Sequence, residues 1–148
     1  MIQTNIERLE YLVQVIPKLL KKIPEEEFSF KPHENKWSKK QILGHMIDSV
    51  TNNHHRFVRT QFEFEPSIYY DQNDWNKFGY YQEIDPSQLI EFWTAYNKHL
   101  LALIKQIPSD NFSLKCFSSE NESNTLGTIF ISYLTHLEHH LEQIIGKY

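Results

Sequence analysis

An all-α four-helix bundle is the fold class this sequence predicts, and three features predict it. Four long segments carry apolar residues at alternating steps of three and four, the spacing of one buried helix face. Capping signals stand at their starts. Glycine is scarce: of four, Gly44, Gly127 and Gly146 fall inside or at the end of those segments, which leaves little for a turn-rich β fold.

The first segment begins at Thr4, where TNIE matches a capping box with Glu7 as its partner. Its stripe is Ile6, Leu9, Val13, Ile16, Leu20 and Ile23, and Pro17 predicts a kink or short break near Ile16. The second runs from Lys39 to about Phe62, with Ser38 as N-cap, Gln41 as capping-box partner and Trp37 stapled against Ile42. The third starts at Asp85 with Pro86 in the first helical position and stops before Pro108. The fourth begins near Asn124 and Thr125 and carries Leu126, Ile129, Tyr133, Leu137 and Ile144 toward the C-terminus. Such segments close a bundle by facing their stripes inward. Between the second and third lies an aromatic connector, SIYYDQNDWNKFGYYQEID, whose Trp75, Tyr80 and Tyr81 are candidates for a pocket mouth. Residues 109–123 are polar and read as a surface loop.

Bulk properties narrow the function. With 148 residues, 40% of them apolar, the chain suits a single domain over residues 1–148. A net charge of -4 speaks against a phosphate-neutralising surface, so no nucleic-acid partner is expected. The lone cysteine, Cys116, excludes an internal disulfide and a cysteine-based zinc site within the chain. No apolar run approaches the roughly 20 residues of a membrane span, and the expectation is a cytoplasmic protein with no membrane partner.

The stretch THLEHHLEQI, Thr135 to Ile144, holds three histidines in five positions. By spacing alone His136 can chelate with either His139 or His140. Measured from the apolar stripe, His140 lies about 40 to 50° away, His136 about 90° and His139 about 150°, so the first two face inward or along a seam. Two hydrogen-bonded core-edge histidines satisfy the same pattern. Leu137 stands where the base of a His-Glu-x-x-His protease belongs, so that mechanism is excluded. A further ligand has to come from His33, His45, His54, His55 or His99. His45 heads a polar line, His45, Ser49, Asn52 and Arg56, which marks either a solvated edge or the wall of a polar cavity. Arg56 suits a substrate carboxylate or phosphate, or a surface salt bridge.

KWSKKQILGHMIDS (Lys36 to Ser49) and HLEHHLEQI (His136 to Ile144) together resemble the two signature regions of the DinB-like superfamily, the DinB/YfiT-like metalloenzymes. The resemblance implies an up-down-down-up bundle, a divalent-metal site of His45, His136 and His140 with water in open positions, and frequent homodimers. Zinc is the first expectation for the metal, with nickel or iron as alternatives. It also implies a transferase using a low-molecular-weight thiol, or a hydrolase, acting on a small molecule; Ser49, Asn52 and Arg56 are the candidate substrate-binding residues. Asp48 is expected beside the site or solvated, and no general base is legible. The rival reading is a non-catalytic helical bundle that binds a metal or small ligand.

Overall fold

The computed structural model describes all 148 residues. Six helices form: α1 (Ile2–Leu20), α2 (Glu25–Ser29), α3 (Lys39–Arg59), α4 (Gln72–Gly79), α5 (Pro86–Gln106) and α6 (Leu126–Ile145). One short hairpin joins them, β1 (Lys115–Ser119) paired antiparallel with β2 (Glu122–Thr125). The four long helices α1, α3, α5 and α6 are the bundle, with α1 and α3 each packed against both α5 and α6.

Contacts along the helices give their directions. Lys105, late in α5, pairs with Glu10 in α1, so those two are antiparallel. Ile2 lies against Gly127 and Arg8 pairs with Glu138, so α1 and α6 run parallel. Lys40 reaches the carbonyl of Gln82 just before α5, and His54 meets Tyr96 and His99 further along, so α3 and α5 are parallel too. The order is up-down-down-up, and the parallel step from α3 to α5 requires the long connector. A core of 29 buried residues fills the interior, with Trp93, Phe57, Phe130 and Phe28 its largest side chains.

Local chemistry accounts for the starts. The Ser38 hydroxyl accepts from the Gln41 amide at 3.1 Å while the Gln41 side chain accepts from the Ser38 amide at 3.0 Å, a complete capping box. Asp85 accepts from Ser87 and Gln88, and Thr125 accepts from Thr128. The Thr4 cap does not form: α1 starts at Ile2, because Glu7 is held by Gln3 at 3.1 Å and Ile2 gains packing on the core. Nor does Pro17 break the helix. It sits in the last turn, where one backbone bond is lost while Ile16 and Leu20 on either side stay buried. Helix α3 ends at Arg59 rather than Phe62, since the last residues tighten into turns such as the Phe62 amide on the Arg59 carbonyl.

Two segments read as loops have structure of their own. The connector folds into α4, capped by Asp71, followed by a 3₁₀ turn at Tyr81–Glu83. Residues 109–123 hold a 3₁₀ turn and most of the hairpin, which buries Cys116. The Phe117 amide donates to Pro66 and its carbonyl accepts from Ile68, so the hairpin is tied to the connector.

Tyr81 does not line a pocket mouth; its ring enters the core against Gly44. A Cβ at position 44 would stand 2.1 Å from that ring. Gly44→Ala therefore forces the ring out despite the better helix propensity of alanine. The expected loss is about 1–3 kcal/mol in chemical denaturation, and an unchanged or higher stability would show that Tyr81 is not packed there.

Candidate metal centre

His45 lies in the second turn of α3, and His136 and His140 lie one turn apart in the second half of α6. These helices are antiparallel neighbours, so the two ends meet. His45 Nε2 is 3.0 Å from His136 Nε2, which is also 3.0 Å from His140 Nε2. All three nitrogens fall within 4.8 Å of one another. Nitrogens bound at about 2.0–2.1 Å around one tetrahedral ion stand roughly 3.3–3.4 Å apart; the two separations from His136 come near that value, and a shift of the rings brings His45 and His140, within 4.8 Å of each other, onto one shared cation.

The surroundings prepare these rings as ligands. The Gln143 side-chain carbonyl is 2.8 Å from His140 Nδ1 and takes the proton there, while its amide donates to His139. This network leaves the His140 Nε2 lone pair free, the tautomer a metal requires. The Trp37 ring packs on His45 at 4.9 Å between centroids. Burial, and then the neighbouring imidazoles, push His45 down to about 3 and His136 to about 4, and His140 is lowered chiefly by burial. All three are neutral at pH 7, as ligation demands. His139 faces solvent and His33 lies in an exposed loop. His54 is taken up by Tyr96 and His99 on α5, and His55 is exposed.

A cavity of about 560 Å³ opens beside His136, within the usual range for small-molecule sites. Ser49 and Arg56 line it, together with Asn53, Tyr70 and Tyr133. Asn52 does not: it is buried with its amide on the Asp48 carbonyl at 2.9 Å. Asn53, one residue on and about 100° around the helix, takes the place sequence spacing assigns to Asn52. It bonds the Ser49 carbonyl at 2.8 Å and accepts from Arg56 at 3.2 Å. Beyond His45 the polar line is therefore the wall of a cavity, running Ser49, Asn53, Arg56, and His136 is the histidine that borders it. No surface salt bridge forms at Arg56, which donates to the carbonyls of Ile68 and Ser118. Among the connector aromatics, Trp75 and Tyr80 are exposed, whereas Tyr70 reaches the cavity. Asp48 is buried rather than solvated, accepts a hydrogen bond from the Tyr81 hydroxyl, and is pushed up to about 6 by burial against the opposing effect of that bond.

Comparison with known proteins identifies the scaffold. The sequence model of the DinB superfamily matches residues 8–144. YfiT of Bacillus subtilis strain 168, whose name makes it a candidate metal-dependent hydrolase, is 26% identical over 110 residues, 73% of this chain. The chain spans 62% of that relative's length. Among solved structures, YfiT from Bacillus subtilis, described as a probable metal-dependent hydrolase with an unusual four-helix bundle topology, superposes with a TM-score of 0.87. That match has 21% identity and covers 97% of this chain and 83% of the other. A mycothiol-dependent maleylpyruvate isomerase superposes with a TM-score of 0.74 at 12% identity, covering 99% of this chain and 61% of the other. A DinB-like protein from Bacillus subtilis gives 0.66 at 16% identity, covering 95% and 86%.

The titrating groups set how the metal-free protein responds to acid. The histidines bind fewer protons folded than unfolded, so their contribution is intact above about 6.5 and is lost as pH falls toward 4 and 3. Asp48 acts oppositely, being favourable below about 3.8 and losing that advantage as pH rises through about 6. Three histidines outweigh one carboxyl. The melting temperature of metal-free protein is expected to fall by about 5 °C or more from pH 7 to pH 5, and to fall further in Asp48→Asn. A midpoint that holds or rises over this range contradicts the burial of the imidazoles.

Proposed function

The chain belongs to the DinB superfamily, and from that premise we propose that it is a divalent-metal-dependent enzyme acting on a small molecule, by hydrolysis or by thiol transfer. The observation that carries this reading is the convergence of three neutral imidazole nitrogens beside a polar cavity. Three protein ligands rather than four is the pattern of a catalytic site, because a structural zinc is usually closed by the protein. Zinc is the first choice because three protein ligands with an open position is its catalytic pattern, with nickel or iron also compatible. A cation held there supplies Lewis acidity that activates water or a low-molecular-weight thiol as a nucleophile at neutral pH.

The chain's own residues do the rest. His45, His136 and His140 hold the ion, and Gln143 keeps the proton of His140 on Nδ1, away from it. Trp37 shields one side of His45 and limits its rotation. Ser49, Asn53 and Arg56 form the substrate-facing wall, a donor-rich surface continuous with His136. Arg56 is fixed by two backbone carbonyls, so its guanidinium is oriented before a substrate arrives. Thiol transfer draws support from the likeness to a thiol-dependent isomerase, and hydrolysis from the likeness to YfiT. The homodimer and the cytoplasmic location belong to the proposal as well. No helix is long and apolar enough to cross a membrane.

Elemental analysis of protein purified without a histidine tag tests the site. About one divalent ion per chain is expected in the wild type and less than about a tenth of that in His136→Ala. Equal metal in both proteins removes the assignment. Folded, metal-loaded protein without chelator-sensitive turnover of esters, amides or thiol acceptors would favour the non-catalytic bundle instead.

A further inference from the structure

Arg56 is a largely buried cation without an acid. Five ion pairs occur in the chain, and Arg59, one turn further on, has Glu63, but none includes Arg56. Its partners are all neutral oxygens: Ile68 at 2.9 Å, Asn53 at 3.2 Å and Ser118 at 3.4 Å. A guanidinium carries five N–H donors, so one on each terminal nitrogen is left over. Burial pushes this group below its ordinary value, the mark of a charge stripped of water. Taking a cation out of water is costly unless an anion answers it, and no carboxylate of the chain pairs with this one.

We propose that a substrate carboxylate answers it, so that Arg56 anchors an elongated organic acid whose other end reaches the histidine centre. The proposal rests on the metal-dependent reading for the reacting end only. Two observations select the class. First, Arg56 and His136 line the same cavity. Arg56 lies eleven residues beyond His45, about 16 Å along the helix axis, and after the reach of the arginine side chain a gap on the order of 10 Å remains. A short acid cannot span it. Second, no lysine lines the cavity, whereas Asp71 and Glu122 do. Asp71 is already committed to the amides of Asn73 and Asp74 that begin α4, and Glu122 is exposed on the hairpin. Arg56 is thus the one arginine or lysine of the lining, matched in charge to one carboxylate, and the two acids repel a phosphate dianion more strongly than a monoanion. The remaining fork of N–H donors suits a planar carboxylate, which a lysine would hold only as a point charge.

The test is calorimetry on metal-loaded protein with straight-chain dicarboxylates from malonate to sebacate, their monoamides, and an alkyl phosphate of matching length. Wild-type affinity is expected to rise at least tenfold from malonate to the longer diacids. A long diacid should bind at least tenfold tighter than its monoamide, and that difference should vanish in Arg56→Gln. Wild-type protein that binds monoamide and diacid alike at every length, or binds the phosphate more tightly, overturns the proposal without reference to how the variant folds. Failure of the metal reading looks different: no ion is found by elemental analysis and the length dependence disappears, while Arg56 still prefers a monoacid to its amide.

Discussion

The antiparallel contact between the start of α3 and the end of α6 is the constraint on which the rest depends. It is held by core packing rather than by the histidines: Leu43, Met46, Ile47 and Val50 on one helix and Leu134, Leu137, Leu141 and Ile144 on the other are all buried. His45 is carried inward among them, and His136 and His140 follow at the seam. Burial first, and then the mutual repulsion of imidazoles this close, lowers the proton affinity of His45 and His136. The bundle bears the cost of hiding nitrogens from water, and the proposed cation would offset it.

A second layer converts this seam into a cavity. The connector and the hairpin come from distant parts of the chain and meet through backbone bonds between Pro66, Phe117 and Ile68. Arg56 then ties both to α3 through the carbonyls of Ile68 and Ser118. One side chain thus closes the wall and presents charge to the space behind it. Tyr81 performs the matching task below, filling the notch at Gly44 and donating to Asp48.

What is legible in the sequence follows from how local each interaction is. The starts of α3, α5 and α6 are written in three or four consecutive residues, and the structure uses Ser38, Asp85 and Thr125 as caps. The facing of His136 and His140 follows from the helix period alone. His45 is different, because its meeting with them spans 91 residues, and only likeness to a family singles it out from four other histidines. The hairpin is hidden because its strands are four or five residues, mostly polar, and held to the connector by backbone bonds that side-chain patterning does not encode. The choice of Asn53 over Asn52 is hidden for a related reason: both stand within one turn of Ser49 and Arg56 on α3, and which of them borders the cavity depends on where distant residues such as Tyr70 and Ser118 enclose it.

The centre itself is tested most directly by a crystal structure recorded at the absorption edge of whichever metal copurifies. The account predicts one strong anomalous peak enclosed by the Nε2 atoms of His45, His136 and His140. A peak elsewhere, or protein carrying its full metal complement with no peak between those rings, would contradict it.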